Sequence, residues 1–150
     1  MPKEKAAAKV KWSVLYYETK DGLCEVQDFL DGRKTKDLTK AIAWITKLEE
    51  EGPQLPRPFA DILRDGIHEL RIKLSGEQVR TLYFFEYRDI IVLTHSFRKN
   101  TDKVPEIEIE KAVKIRTEFL SRFPKREALN EILQKPPPRK TTERRVPPSL

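Results

Sequence analysis

Residues 66–85 read "GIHELRIKLSGEQVRTLYFF". Leu70, Ile72 and Leu74 alternate with Glu69, Arg71 and Lys73, the period of two expected of a strand with one face on a core. "SGE" at 75–77 turns the chain, and "VRTLYFFEY" runs back beside it. Two arginines, Arg71 and Arg80, thus lie inside a strand pair. The solvent side of an amphipathic strand accounts for Lys73 and can account for Arg71. Arg80 is different, because it shares its face with Leu82 and Phe84 and so sets a guanidinium against an apolar wall.

Further along, "IIVLTHSF" follows after "RD" at 88–89, which predicts a three-stranded antiparallel meander. Upstream, "WSVLYY" at 12–17 predicts a strand that adds a fourth, ended by the turn at "KDG". "EVQDFL" predicts a short helical turn stopped by Gly32. Leu38, Ile42, Ile45 and Leu48 then recur at helical spacing and predict an amphipathic helix ending at Gly52. Its Glu49, Glu50 and Glu51 stand where the helix dipole disfavours them, so they form a solvated face or meet a basic neighbour. Pro53, Pro56 and Pro58 force a non-helical crossing to "FADILRDGIHEL".

After Phe97 the basic loop "RKNTDKV" leads to Pro105, suited to a helix start, with Glu106, Glu108 and Glu110 following. Ile109, Val113, Leu120 and Phe123 form the predicted buried stripe of that helix, which covers the sheet. Arg116 interrupts the stripe, either snorkelling from its edge or reaching the basic side of the sheet. The expected class is α+β, a small antiparallel sheet with helices packed on one side.

The chain has 150 residues and is 38% hydrophobic, enough for one modest core. Residues 1–123 are expected to form that domain. Residues 124–150 form a basic, proline-rich extension, with "KREALNEILQK" as a short helix and "PPPRKTTERRVPPSL" too polar to build a core. The extension holds seven Lys or Arg against three Asp or Glu, so most of the formal net charge of +6 lies there. A basic balance favours acidic partners, while within the body only local clustering can do so. A lone cysteine, Cys24, rules out an internal disulfide framework and suits a reducing cytoplasm. The amino terminus lacks the apolar core of a secretory signal, and no window is apolar enough to span a bilayer, so a soluble protein with no membrane partner is expected.

The residues that carry chemistry cluster on the strands. Arg71, Lys73 and Arg80 come from two consecutive strands, His95, Arg98 and Lys99 end the next, and Lys103 follows in its loop. Guanidinium forks and ammonium groups match phosphate oxygens and stabilise charge that develops on a phosphoryl group. His95 shares the parity of Ile91, Leu93 and Phe97; a histidine there is a core group with satisfied hydrogen bonds or, beside a phosphate site, a proton-transfer group. His68, at a strand start, reads as structural. Tyr83, Tyr87 and Phe97 are able to stack on bases, although Tyr83 and Phe97 fit a core better. There is no glycine-rich phosphate loop, cysteine pair for zinc or nucleophile elbow. A site of Arg, Lys and His without metal or cofactor remains.

The stretch from "LRDGIHELRIKL" through "KAVKIR" closely resembles the phage-derived HigB-like branch of the RelE toxin superfamily. The pattern couples an E-L-R strand (Glu69, Leu70, Arg71), an R-x-L-Y strand (Arg80, Leu82, Tyr83), an apolar strand ending in H-x-F-x-K (His95, Phe97, Lys99) and a helix entered through Thr101, Pro105 and Ala112. Four linked segments in order make the resemblance specific over roughly residues 10–123. It implies a toxin of a two-component module that cuts messenger RNA in the ribosome without metal, leaving a cyclic phosphate and a 5′-hydroxyl. It also implies an antitoxin partner of helix-turn-helix type. By position, Arg71 and Arg80 would hold the scissile phosphate, Lys99 would bind RNA or stabilise charge, and His95 would transfer a proton. Lys73, Arg98, Lys103 and Arg116 would add RNA contacts. Two departures stand out: the basic tail, and Asn100 where many relatives have a second lysine. Two other readings are a gyrase-poisoning inhibitor of the same fold and a degenerate RNA-binding relative.

Overall fold

A computed structural model describes residues 10–134. In chain order the elements are β1 (Ser13–Tyr16), α1 (Glu25–Asp31), α2 (Thr35–Glu51), β2 (Ala60–Arg64), β3 (Ile67–Leu74), β4 (Glu77–Glu86), β5 (Ile90–Arg98), α3 (Glu106–Arg122) and α4 (Asn130–Gln134). Short 3-10 turns at Gly52–Gln54 and Arg126–Leu129 follow α2 and precede α4. The strands form one five-stranded sheet in the order β1-β5-β4-β3-β2, antiparallel except where β1 joins β5 in parallel. The fold is α+β, as the sequence predicts.

Both hairpins that build the site turn on residues with left-handed backbones: Asp65 and Gly66 (φ 52° and 78°) between β2 and β3, Ser75 and Gly76 (φ 49° and 84°) between β3 and β4. Such pairs match the right-handed twist of the flanking strands. The meander is therefore one strand longer than expected. β2 was hidden because it lies at the sheet edge, where its Ile62 is exposed and no buried alternation marks it. Its outward N–H groups are already satisfied, Ala60 N by Pro56 O at 3.2 Å and Ile62 N by the Asp61 side chain at 2.9 Å, which blunts the edge against strand addition.

Alternation sorts the packing into two cores. Leu70, Ile72, Leu74, Val79, Tyr83, Ile91 and Leu93 pack with Val26 and Leu30 of α1 and with Ala41, Ile45 and Leu48 of α2. Residues of the other parity, Ile67, Leu82, Phe84, Ile90 and Val92, pack with Ile109, Ala112 and Phe119 of α3. On α2 the buried stripe runs through Ala41 rather than Ile42, which is exposed. Glu49 forms no ion pair among the described residues; its carboxylate accepts the N–H of Val14 at 2.7 Å and ties α2 to β1. Packing continues beyond the expected boundary at 123, because Leu129 is fully buried in the second core and Arg126 pairs with Asp89 at 2.9 Å. Of the expected tail, residues 135–150 lie outside the described residues.

Gly52 sits with φ +56° under Trp12, whose indole would lie 2.5 Å from a Cβ at that position. Gly52→Ala is expected to cost about 2 kcal/mol, from left-handed strain plus displacement of Trp12 from Phe85. A lowered urea midpoint with an unchanged m-value would bear this out, and an unchanged midpoint would refute it.

Candidate functional site

Arg71 and Arg80 face each other directly across the β3–β4 ladder, so both project to the α3 face. Two guanidiniums opposite one another repel. Glu69, two residues before Arg71 on the same face, resolves the conflict. Its Oε2 accepts from Arg71 Nη2 at 2.9 Å and Nε at 3.1 Å, and its Oε1 lies 3.0 Å from Arg80 Nε. Glu69 and Arg80 are only 4% and 6% exposed, whereas Arg71 reaches solvent. The close approach of Arg80 Nε to Glu69 Oε1 is not a well-aligned hydrogen bond, and among the described residues neither atom finds another partner. Burial lowers the Arg80 pKa, with Glu69 opposing and Arg71 adding to the shift, yet a guanidinium remains charged in water-accessible protein.

These groups form one wall of a cleft of about 310 Å³. Lys99 and Lys103, from the segment between β5 and α3, line the cleft with them. Carboxylates are present too: Asp61 lies 3.4 Å from Arg71, and Glu106 pairs with Arg64 at 2.8 Å on the rim. Lys99 and Lys103 form no ion pair among the described residues, and with Asp102 also in the lining five cationic side chains meet four carboxylates, which leaves a small positive excess beside the buried Arg80. An oxyanion held there would meet two guanidinium forks from the sheet and ammonium groups from the loop.

Other expected residues lie elsewhere. Lys73 is exposed, beyond the cleft lining. Arg98 is exposed and pairs with Glu77 at 2.9 Å. Arg116 lies over the same sheet face but outside the cleft lining; its Nη1 donates to Asp65 O at 2.5 Å and its guanidinium lies over Phe84, securing the β2–β3 turn. His95 also departs from its expected parity. The β4–β5 register pairs Leu82 with His95 but Tyr83 with Leu93, so Thr94 is an extra residue that moves His95 off the face of Ile91 and Leu93 and under α3. There it is 2% exposed, outside the cleft lining, with Nε2 2.9 Å from Glu108 Oε1 and Nδ1 2.9 Å from Thr94 Oγ1. The imidazole ties β5 to the first turns of α3.

Burial is the main cause that lowers the His95 pKa, opposed by the Glu108 hydrogen bond, and burial likewise lowers that of His68. Both side chains take up protons more readily in the unfolded chain, so the stability they permit is complete above the ordinary histidine value of about 6.5 and declines as pH falls below it. The urea midpoint is expected to drop between pH 7.5 and 5.5, and His95→Gln to flatten that dependence. A midpoint constant across this window would contradict the assignment.

The residues missed by sequence reasoning are Glu69 and Asp61, the carboxylates that set the two arginines. Glu69 was visible in the E-L-R motif, with its side of the strand fixed by alternation, but nothing in the pattern showed that it is buried.

No curated protein matches the chain at a significant level. A family model described as phage derived protein Gp49-like (DUF891) matches residues 28–117, which runs from α1 into α3 and includes every arginine and carboxylate of the cleft wall just described. Since that match covers more than half of its length, the chain belongs to the phage-derived Gp49-like family.

Proposed function

We propose that this protein is the toxin of a toxin–antitoxin module and that it cleaves messenger RNA on the ribosome without a metal. The supporting observation is the Arg71–Arg80 pair, on one face and joined by Glu69, opening into a cleft that also holds Lys99 and Lys103. In the proposed reaction the 2′-oxygen attacks the adjacent phosphorus and gives up its proton, the P–O5′ bond breaks, and the 5′-oxygen takes a proton. The products are a 2′,3′-cyclic phosphate and a 5′-hydroxyl. Arg71 and Arg80 would hold the non-bridging oxygens and offset the charge that grows on them, with Lys99 and Lys103 closing the other side. His95, enclosed by Glu108 and Thr94, has no part in this scheme. An antitoxin encoded nearby, expected to be of helix-turn-helix type, would restrain the activity.

Primer-extension mapping of transcripts after induction tests the proposal. Discrete in-frame cuts, reproduced on purified ribosomes in magnesium buffer with no other divalent metal, are expected. Intact transcripts accompanied by DNA damage would point instead to a protein target, and salt-sensitive RNA binding without cleavage to a regulatory relative.

A further inference from the structure

Around the β2 edge from the cleft lies a second pocket, of about 250 Å³. Pro56, Ile62 and Phe85 give it apolar walls, and Tyr83, His68 and Arg57 contribute polar groups. The His68 ring stacks on Tyr83 at 5.3 Å with an interplanar angle of 20°, and meets Phe85 edge-on at 5.0 Å. The Tyr83 ring is almost wholly covered, while its hydroxyl and the His68 imidazole line the pocket and make no hydrogen bond among the described residues. That hydroxyl opens into the pocket, where it is free to donate to or accept from a polar group that enters. An aromatic floor rimmed mainly by polar groups, Arg57, Asp61, His68 and Tyr83 among them, suits a planar ring that carries hydrogen-bonding edges.

We propose that this pocket is a nucleobase subsite, in which a base lies against the His68–Tyr83–Phe85 cluster and hydrogen-bonds to the Tyr83 hydroxyl. Asp61 connects it to the cleft, because it lines both cavities, pairs with Arg57 at 3.2 Å and lies 3.4 Å from Arg71. An RNA strand with its phosphate between Arg71 and Arg80 would round the β2 edge and place a neighbouring base here. This part rests on the cleft function proposed above.

The chain has two histidines, His68 and His95, so NMR resolves the His68 ring in the full-length protein. Each of the four ribonucleosides, which carry no phosphate, is titrated in turn, with inorganic phosphate as the comparison. At least one nucleoside is expected to shift His68 saturably while phosphate does not, and Tyr83→Phe, shown by urea denaturation to be folded, is expected to weaken binding about tenfold. His68→Ala, followed by equilibrium dialysis, should weaken it as well. No shift from any nucleoside, or equal affinity in folded Tyr83→Phe, would overturn the subsite. If nucleosides bind but Arg80→Ala leaves growth arrest intact, the cleft function fails and the base pocket stands.

Discussion

Arg80→Ala is expected to abolish growth arrest on expression and to slow cleavage of ribosome-bound message by about 10²- to 10³-fold, the usual cost of removing one preorganised donor from developing charge. Arg80 is the buried member of the pair, held at 3.0 Å from Glu69 on the strand face of Leu82 and Phe84. Arg80→Lys should retain part of the activity, because it keeps the charge but loses the planar fork. Lys99→Ala should cost less than either, since Lys99 is partly exposed and Lys103 lies in the same cleft. Urea denaturation must accompany the assay, because Arg80→Ala also removes one of the two partners of Glu69. Full toxicity from a folded Arg80→Ala protein would remove the cleft from the mechanism.

The side chains that meet in the cleft were legible where alternation was unbroken. Arg71 and Arg80 occupy a regular ladder with a tight two-residue turn, so their common face followed from counting by twos. His95 lies just past a bulge, and one extra residue, Thr94, inverts every parity argument beyond it. No local signal separates Thr94 from an ordinary strand threonine. The β2–β3 hairpin was available in the Asp65–Gly66 pair, a strong hairpin signal, but the preceding prolines read as a crossing rather than as the entry to an edge strand. Helix positions were read correctly to within a residue or two, and their stripes less well. Apolar side chains at the edge of a stripe, such as Ile42, score like core residues, whereas the small Ala41 that packs at the centre does not. The base pocket was beyond reach for another reason: it joins residues from 52 to 85, three strands among them, and depends on which polar groups open into it.

Glu69→Gln is expected to destabilise the protein by about 3 kcal/mol, although it changes neither the volume nor the shape of the side chain. The charge matters because Glu69 is the carboxylate shared by two facing guanidiniums, and removing it leaves a buried cation opposite another cation. The loss should fall mainly on Arg80. Arg71 reaches solvent and keeps Asp61 at 3.4 Å, whereas Arg80 has no other carboxylate within ion-pair distance among the described residues. The double substitution Glu69→Gln with Arg80→Met should therefore recover most of the lost stability, as paired removal of buried charges commonly does. The same deficit links the fold to the site. If the two guanidiniums share an anion position, sulfate must stabilise Glu69→Gln more than the unsubstituted protein, since it supplies the negative charge that the carboxylate no longer provides. Equal sulfate effects on the two urea midpoints would mean that Arg71 and Arg80 hold Glu69 for the sake of the sheet alone, and the cleft would lose its claim to a phosphate.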